Sequence, residues 1–132
     1  WDTSHVQDMS QMFSGANSFD GDISSWDTSR CEDMHHIFED AQLFNQDIGK
    51  WQVGKALKMR SMFRNAESFD QDLRKWSVAK VAEQEDIFKG ASAFNDKFEC
   101  ASKHDGPIAS CKDKSEKTED KSNNNVFSKI FG

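Results

Sequence analysis

The chain has 132 residues, of which 36% are hydrophobic and 30% are charged, and its net charge at pH 7 is −6. This length suits one ordinary domain, and the acidic balance argues against a nucleic-acid partner. Mean hydropathy is −0.82, and no apolar run is long enough to be a transmembrane segment. The chain opens on Trp1 with no leader-like stretch, so we expect it to be part of a longer protein.

A period of 25 residues organises most of the sequence. Tryptophan, two phenylalanine columns and an alanine column recur in register, at Trp1, Trp26, Trp51, Trp76; Phe13, Phe38, Phe63, Phe88; Phe19, Phe44, Phe69, Phe94; and Ala16, Ala41, Ala66, Ala91. Such a period is typical of proteins whose copies stack, because one short copy cannot bury its apolar face alone.

Each copy begins with an alternation of apolar and polar residues, as in Trp26-Asp27-Thr28, which predicts a short strand. A stretch with apolar offsets of 3, 3, 1 and 3 follows and predicts a helix of about three turns. Ser29 stands where its N-cap would lie, and Asp33 falls in its first turn. The predicted inward residues of the second and third copies are Cys31, Met34, Ile37, Phe38, Ala41 and Ala56, Met59, Met62, Phe63, Ala66.

These elements predict an α/β repeat fold, a leucine-rich-repeat-like solenoid with one short parallel strand and one helix in each 25-residue turn. We expect about four turns over residues 1–98, with the array truncated at its N-terminal end. The fourth copy departs from the pattern, since Gln84 takes the place of a methionine and Lys97 that of an aspartate. Residues 99–132 are therefore expected to form a C-terminal cap and a polar, flexible tail.

The repeat unit, which runs from Asp22-Ile23-Ser24-Ser25-Trp26 through Asp33-Met34 to Phe44, resembles that of the BspA-like surface proteins, with their mycoplasma-type lipoprotein repeats. The resemblance covers residues 1–98. It implies a leucine-rich-repeat-like solenoid that is secreted or displayed at a surface, with adhesive or recognition roles. It implies no enzyme activity and offers no catalytic residues to carry over.

One column beside the predicted strand is cationic in every copy: His5, Arg30, Lys55 and Lys80. Stacked like charges repel one another, so such a column has a cost unless something offsets it. One interpretation is a solvated face, partly paired with Asp2 and Asp27. The other is a strip that binds an anion or a partner, for which the candidates are Arg30, Lys50, Lys55, Lys75 and Lys80.

Two patterns raise the question of a metal. The turns carry aspartates that calcium would accept as ligands, namely Asp20, Asp22, Asp47, Asp70 and Asp72. The alternative, which we favour, is that these side chains accept hydrogen bonds from turn amides. Cys31 and His35 form at most half a zinc site, and Cys31 lies in an inward column, which favours a buried core residue. We therefore expect no metal and no cofactor.

Cys100 and Cys111 follow the repeats directly. A disulfide between them would fix the cap and suits an oxidising compartment, whereas two reduced thiols would suit a cytosolic protein. Residues 101–125 have the composition of a linker. Phe127, Ile130 and Phe131 have the spacing of a small docking helix.

The sequence contains no phosphate loop, nucleophile elbow or metalloprotease motif, so we expect no enzyme. The leading hypothesis is a non-catalytic binding or adhesion module of a surface or secreted protein, recognising a protein or glycan on its strand face. The alternative is a structural spacer or assembly subunit that docks onto a larger complex or associates end to end. The resemblance and the cysteine placement together predict an extracellular or cell-surface location.

Overall fold

A computed structural model describes residues 1–116. The regular elements that end before residue 114 are an α-helix, α1 (Ser92–Lys97), a 3₁₀ helix (Ile108–Ser110) and two strands, β1 (Phe98–Glu99) and β2 (Lys112–Asp113). The strands form an antiparallel pair. The residues of the predicted docking helix, Phe127, Ile130 and Phe131, lie outside the described range.

The predicted fold class, a leucine-rich-repeat-like solenoid with a strand and a helix in each of about four turns, is wrong. In the part of the chain that the structure describes, the helices are short and the single sheet is two-stranded and antiparallel. Residues 31–41 and 56–66, predicted to be helical, consist mainly of successive turns. The segments around the tryptophans, predicted to be strands, have no regular structure. The division of the chain at residue 98 stays a prediction.

The backbone hydrogen bonds show why no helix forms. In the predicted helical stretch, alternate N–H groups donate to a carbonyl of the next copy, at 2.8–3.0 Å, instead of to a carbonyl four residues earlier in their own copy. The twelve pairs are Met9–Asp33, Gln11–His35, Phe13–Ile37, Gly15–Glu39, Met34–Lys58, His36–Arg60, Phe38–Met62, Asp40–Arg64, Met59–Glu83, Ser61–Glu85, Phe63–Ile87 and Asn65–Lys89. The backbone therefore joins one copy to the next.

Two positions in each copy have a left-handed backbone, which no right-handed helix can contain. The first column is Gln11, His36, Ser61 and Asp86, with φ between 54° and 61°; the second is Gly15, Asp40, Asn65 and Gly90, with φ between 59° and 76°. The second column uses only glycine, asparagine and aspartate, the residues that tolerate this conformation best.

Single-residue parallel bridges also connect the copies, through Asp8, Asp33, Lys58 and Glu83. Asp33, predicted to lie in the first turn of a helix, is therefore a point of contact between copies. Ser29, predicted to be an N-cap, instead donates its N–H and its hydroxyl to Asp27, at 3.0 and 2.6 Å. These bonds lower the pKa of Asp27, the side-chain bond having the larger effect.

The core is formed by the residue columns that the sequence marks as inward. All ten apolar residues predicted to face inward in the second and third copies are at most 1% exposed. Phe63 stacks on Phe38 and Phe88 in the neighbouring copies, with ring centroids 5.6 and 5.9 Å away. Within its own copy it lies 4.3 Å from Phe69. The phenylalanine columns therefore run continuously from copy to copy.

The segment after the repeats packs against the fourth copy. The predicted disulfide between Cys100 and Cys111 is present, and Phe98 and Ile108 are buried in the same core. Gln84, which replaces a methionine of the earlier copies, accepts a hydrogen bond from the Ile108 N–H through its side-chain oxygen, at 3.0 Å. The polar side chain of Gln84, in a column that is otherwise methionine, is therefore hydrogen-bonded to the segment that follows the repeats.

Candidate binding surface

The five candidate residues of the cationic strip are all exposed: Arg30, Lys50, Lys55, Lys75 and Lys80. The ion pairs found within residues 1–116 involve His35, His36 and Arg74, and none includes a member of the strip. Lys55 and Lys80 therefore present solvated ammonium groups one copy apart.

Arg30 is the member with a defined local partner. Its guanidinium lies 2.8 Å from Nδ1 of His5, so the imidazole accepts a hydrogen bond from Arg30 when Nδ1 carries no proton. The hydrogen bonds from Ser29 are the main cause that lowers the pKa of Asp27, and the positive charge of Arg30 adds a smaller effect in the same direction. The pairing of Asp27 with Arg30 that the sequence suggests is not among the ion pairs found within residues 1–116. The third and fourth copies have Gln52 and Ser77 in place of the aspartate.

Lys50 and Lys75 meet at one groove. A cavity of about 200 Å³ is lined by both lysines together with Asp47, Gly49, Gln71 and Asp72. Lys50 also lines a second cavity, of about 270 Å³, with Trp26, Asp27 and Gln52. Both cavities are shallow grooves at the surface. They are better suited to a polymer chain or the surface of another protein than to a small molecule that needs an enclosed pocket.

The turn residues form hydrogen-bonded ladders between copies. The Asp20 carboxylate accepts the Asn45 N–H at 2.8 Å, and the Asn45 side-chain oxygen accepts the Asp70 N–H at 3.0 Å. Gln46 donates its amide to Asp20 at 3.0 Å. Asp22, Asp47 and Asp72 accept backbone N–H groups two residues later, from Ser24, Gly49 and Arg74. The turn oxygens therefore accept hydrogen bonds from backbone amides, as the favoured interpretation of the sequence expects. Between residues 1 and 116 there is no group of three or more histidine, cysteine, aspartate or glutamate side chains that could hold a metal ion.

Cys31 does not meet the neighbouring histidines in a metal-binding arrangement. Its thiol is buried and lies 3.3 Å from the Asp33 carbonyl. His35 bonds to the Asp33 carboxylate and His36 to that of Glu39, each through Nδ1. Burial is the main cause that raises the pKa of Cys31 to about 11.

Cys31 is therefore expected to be unreactive in the folded protein, because little thiolate forms and the sulfur is covered. Ellman's reagent at pH 8 should detect no thiol before denaturation and one equivalent after denaturation in guanidinium without reductant. Three equivalents after denaturation would contradict the disulfide, and rapid native labelling would contradict the burial of Cys31.

Sequence reasoning missed Arg74. Its guanidinium pairs with Asp72 at 2.8 Å and with Glu116 at 2.6 Å, and it also lies over the Phe98 ring at 5.9 Å. The two carboxylates, Asp72 first, raise its pKa further above the usual range. Arg74 thus ties the segment after the repeats to the third copy. Its partner Glu116 lies outside the 25-residue pattern, so the period gave no signal for this pair.

No helix among residues 1–116 combines the length and the hydrophobicity needed to cross a membrane. The chain is thus a repeat protein. Its 25-residue copies are joined by backbone hydrogen bonds, and the same side-chain columns recur on the surface of each copy.

Residues 1–101 match the family described as "Mycoplasma protein of unknown function, DUF285", and the chain belongs to this family. The comparisons found no match among curated proteins or among solved structures. The family and the disulfide are consistent with a surface location.

Proposed function

We propose that this chain is a non-catalytic binding module of a surface or secreted protein and that it recognises an anionic protein or glycan through the cationic strip. The strip consists of Arg30, Lys50, Lys55, Lys75 and Lys80. The observation that carries the proposal is that Lys55 and Lys80, one copy apart, are exposed and form no ion pair within the described chain. Adhesive roles of BspA-like surface proteins, which the repeat unit resembles, agree with it.

The charge distribution supports the same surface. Residues 1–50 hold 2 basic and 10 acidic residues, whereas residues 51–98 hold 9 basic and 7 acidic ones. The four lysines of the strip lie in or directly beside the more basic half. Charge asymmetry of this kind raises the association rate of an anionic ligand and orients it on the surface.

The test is charge reversal, with heparin as a sulfated-glycan probe. The double variant Lys55→Glu/Lys80→Glu is expected to weaken heparin binding tenfold or more in surface plasmon resonance. The wild-type affinity should also fall with added salt, since the attraction is electrostatic. A wild-type protein that does not bind heparin would contradict recognition of a sulfated glycan.

A matched control separates the strip from net charge. Arg64 and Lys89 stand one copy apart in another column, and Arg64→Glu/Lys89→Glu changes the net charge by the same amount. This variant should retain most of the heparin affinity. Equal losses in the two double variants would show that overall charge governs binding and would overturn the assignment to the strip.

The second candidate function is a structural spacer or assembly subunit that docks onto a larger complex. It is favoured by the twelve equivalent backbone pairs between copies, because a contact repeated in the same register extends by the addition of further copies. Concentration-dependent association in sedimentation velocity would support this function.

A further inference from the structure

The net positive charge of the strip comes from the third and fourth copies. Residues 50–55 and 75–80 each contain two lysines and no acidic residue, whereas the equivalent residues 25–30 contain one arginine and one aspartate. The segment therefore carries a formal charge of +2 in each of the later copies and 0 in the second copy. The difference is due to Asp27 and to Ser25, which stands in place of a lysine.

Asp27 and its counterparts occupy equivalent positions on one surface. The Thr3 hydroxyl donates to the Asp27 carbonyl, and the Thr28 hydroxyl donates to the Gln52 carbonyl, both at 2.9 Å. The side chains of Asp27, Gln52 and Ser77 are all exposed. One column of this surface therefore changes from a carboxylate to an amide and then to a hydroxyl, from the second copy to the fourth.

The groove of about 270 Å³ places this column beside the lysines, because Asp27, Gln52 and Lys50 all line it. Among the described residues that line this groove, Asp27 has the one carboxylate. On its other side Lys50 lines the groove that contains Asp47 and Asp72. A polyanion that follows the lysines is therefore expected on the side of Gln52, where Asp27 is the carboxylate that it meets.

Asp27 is ionised at neutral pH. The hydroxyl and the N–H of Ser29 donate to its carboxylate at 2.6 and 3.0 Å, and these bonds hold its pKa below the usual range. No ion pair found within residues 1–116 includes Asp27. Its negative charge is therefore not neutralised by a direct partner, and it repels an anionic ligand.

The arrangement of the lysines favours a ligand that crosses from copy to copy. Phe63 lies 5.6 and 5.9 Å from the equivalent rings of its two neighbours, so the copies repeat at about this spacing. A linear chain that runs in the stacking direction meets the lysines of two copies, whereas one that runs within a copy meets only those of one copy. In the sequence, Gln52 and Ser77 lie between the lysines of their copies. Their side chains form no hydrogen bond within the described chain and are available to hydroxyl and sulfate groups.

We infer that the strip binds a sulfated glycan chain lying in the stacking direction over the third and fourth copies, and that the Asp27 carboxylate ends the binding site at the second copy. This inference rests on the proposed function and names its ligand class and its boundary. The sulfates pair with the four lysines, and the glycan hydroxyls bond to Gln52 and Ser77. Arg30 contributes little to binding, because Asp27 offsets its charge.

The boundary is tested by a gain of heparin affinity in surface plasmon resonance. Asp27→Asn removes the charge and keeps the size of the side chain, and it should strengthen heparin binding about threefold, as expected for one exposed charge. Asp8→Asn is the matched control, since Asp8 also accepts the N–H of a serine two residues later but lies in another column. It should leave the affinity nearly unchanged. Equal gains in the two variants would overturn the boundary.

The reverse change introduces the boundary into the third copy. Gln52→Asp places a carboxylate between Lys50 and Lys55 and should weaken heparin binding about tenfold, because like charges then oppose each other. Gln52→Asn, the control of the same size without the charge, should retain most of the affinity. Equal affinities of the two Gln52 variants would contradict repulsion at this column.

Arg30→Gln measures how far the ligand extends. In the otherwise native protein it should lower the heparin affinity less than Lys80→Gln does, whereas in the Asp27→Asn background it should lower it about threefold. Such non-additivity is expected when one substitution brings a second residue into contact with the ligand. Equal losses from Arg30→Gln and Lys80→Gln in the native background would show that the ligand already reaches the second copy.

Poly-L-glutamate tests the class of ligand, and it should bind less tightly than heparin. Equal or tighter binding would overturn the glycan and favour an acidic protein segment. If Lys55→Glu/Lys80→Glu abolishes heparin binding while Asp27→Asn and Gln52→Asp leave it unchanged, the boundary is wrong and the binding function stands. A wild-type protein that does not bind heparin would overturn both.

Discussion

Replacing Phe63 by alanine is expected to lower the free energy of unfolding by about 3–5 kcal/mol, the range for a buried aromatic residue. The ring is fully buried, and it contacts both neighbouring copies as well as Phe69 of its own copy. Alanine would leave a cavity between two copies, and the backbone bonds on either side limit how far the copies can close over it. Urea unfolding followed by tryptophan fluorescence measures the change.

The matched control is Phe13→Ala, in the same column of the first copy. Phe13 stacks on Phe38 at 5.7 Å, and among the described residues it is only half-buried. Phe13→Ala should therefore lower the free energy of unfolding by about half as much as Phe63→Ala, because the Phe13 ring buries less apolar surface in the folded protein. Equal losses at Phe63 and Phe13 would contradict the continuous stack as the source of stability.

Substitutions at Asn65 distinguish the observed backbone from the predicted helix by the sign of their effect. Asn65 has φ 59° and donates its side-chain amide to Asp40 at 2.9 Å. Asn65→Ala and Asn65→Gly both remove that hydrogen bond, so it cancels when the two variants are compared. In the left-handed conformation alanine costs about 1–2 kcal/mol more than glycine. In a helix interior the order reverses, and alanine is better than glycine by about 1 kcal/mol.

We therefore expect Asn65→Gly to be more stable than Asn65→Ala in the same urea experiment. Ala66→Gly serves as a control, because Ala66 is buried and has no left-handed backbone. Glycine there should destabilise the protein. If Asn65→Ala proved the more stable of the pair, the left-handed column would be wrong and a helical backbone would be favoured.

The sequence predicted which side chains face inward but not the path of the backbone between them. Apolar offsets of 3, 3, 1 and 3 place Met34, Phe38 and Ala41 on one side of a helix, and successive turns place them on one side equally well. The distinguishing signal was present in the column of Gly15, Asp40, Asn65 and Gly90. Glycine and asparagine also occur at the ends of helices. The column therefore excludes a helix only because it recurs inside the apolar stretch of every copy.

The candidate site was predictable to the extent that it follows the period. The exposure of Lys55 and Lys80 follows from their place in a polar column, and the disulfide follows from two cysteines just beyond the last copy. The groove shared by Lys50 and Lys75 depends on the turns next to them, which composition does not specify. The ion pair of Arg74 with Glu116 joins residues 42 positions apart, and no repeat connects them.

The twelve equivalent backbone pairs have an evolutionary consequence. Because each interface uses the same positions and mostly main-chain atoms, a gene can gain or lose a unit encoding one whole copy and leave every remaining interface of the same type. Changes of any other length would shift the left-handed residues and the phenylalanine columns out of register. Recombination between copies can therefore change the length of the protein and the number of its surface cations. The backbone hydrogen bonds between neighbouring copies would keep the same pattern.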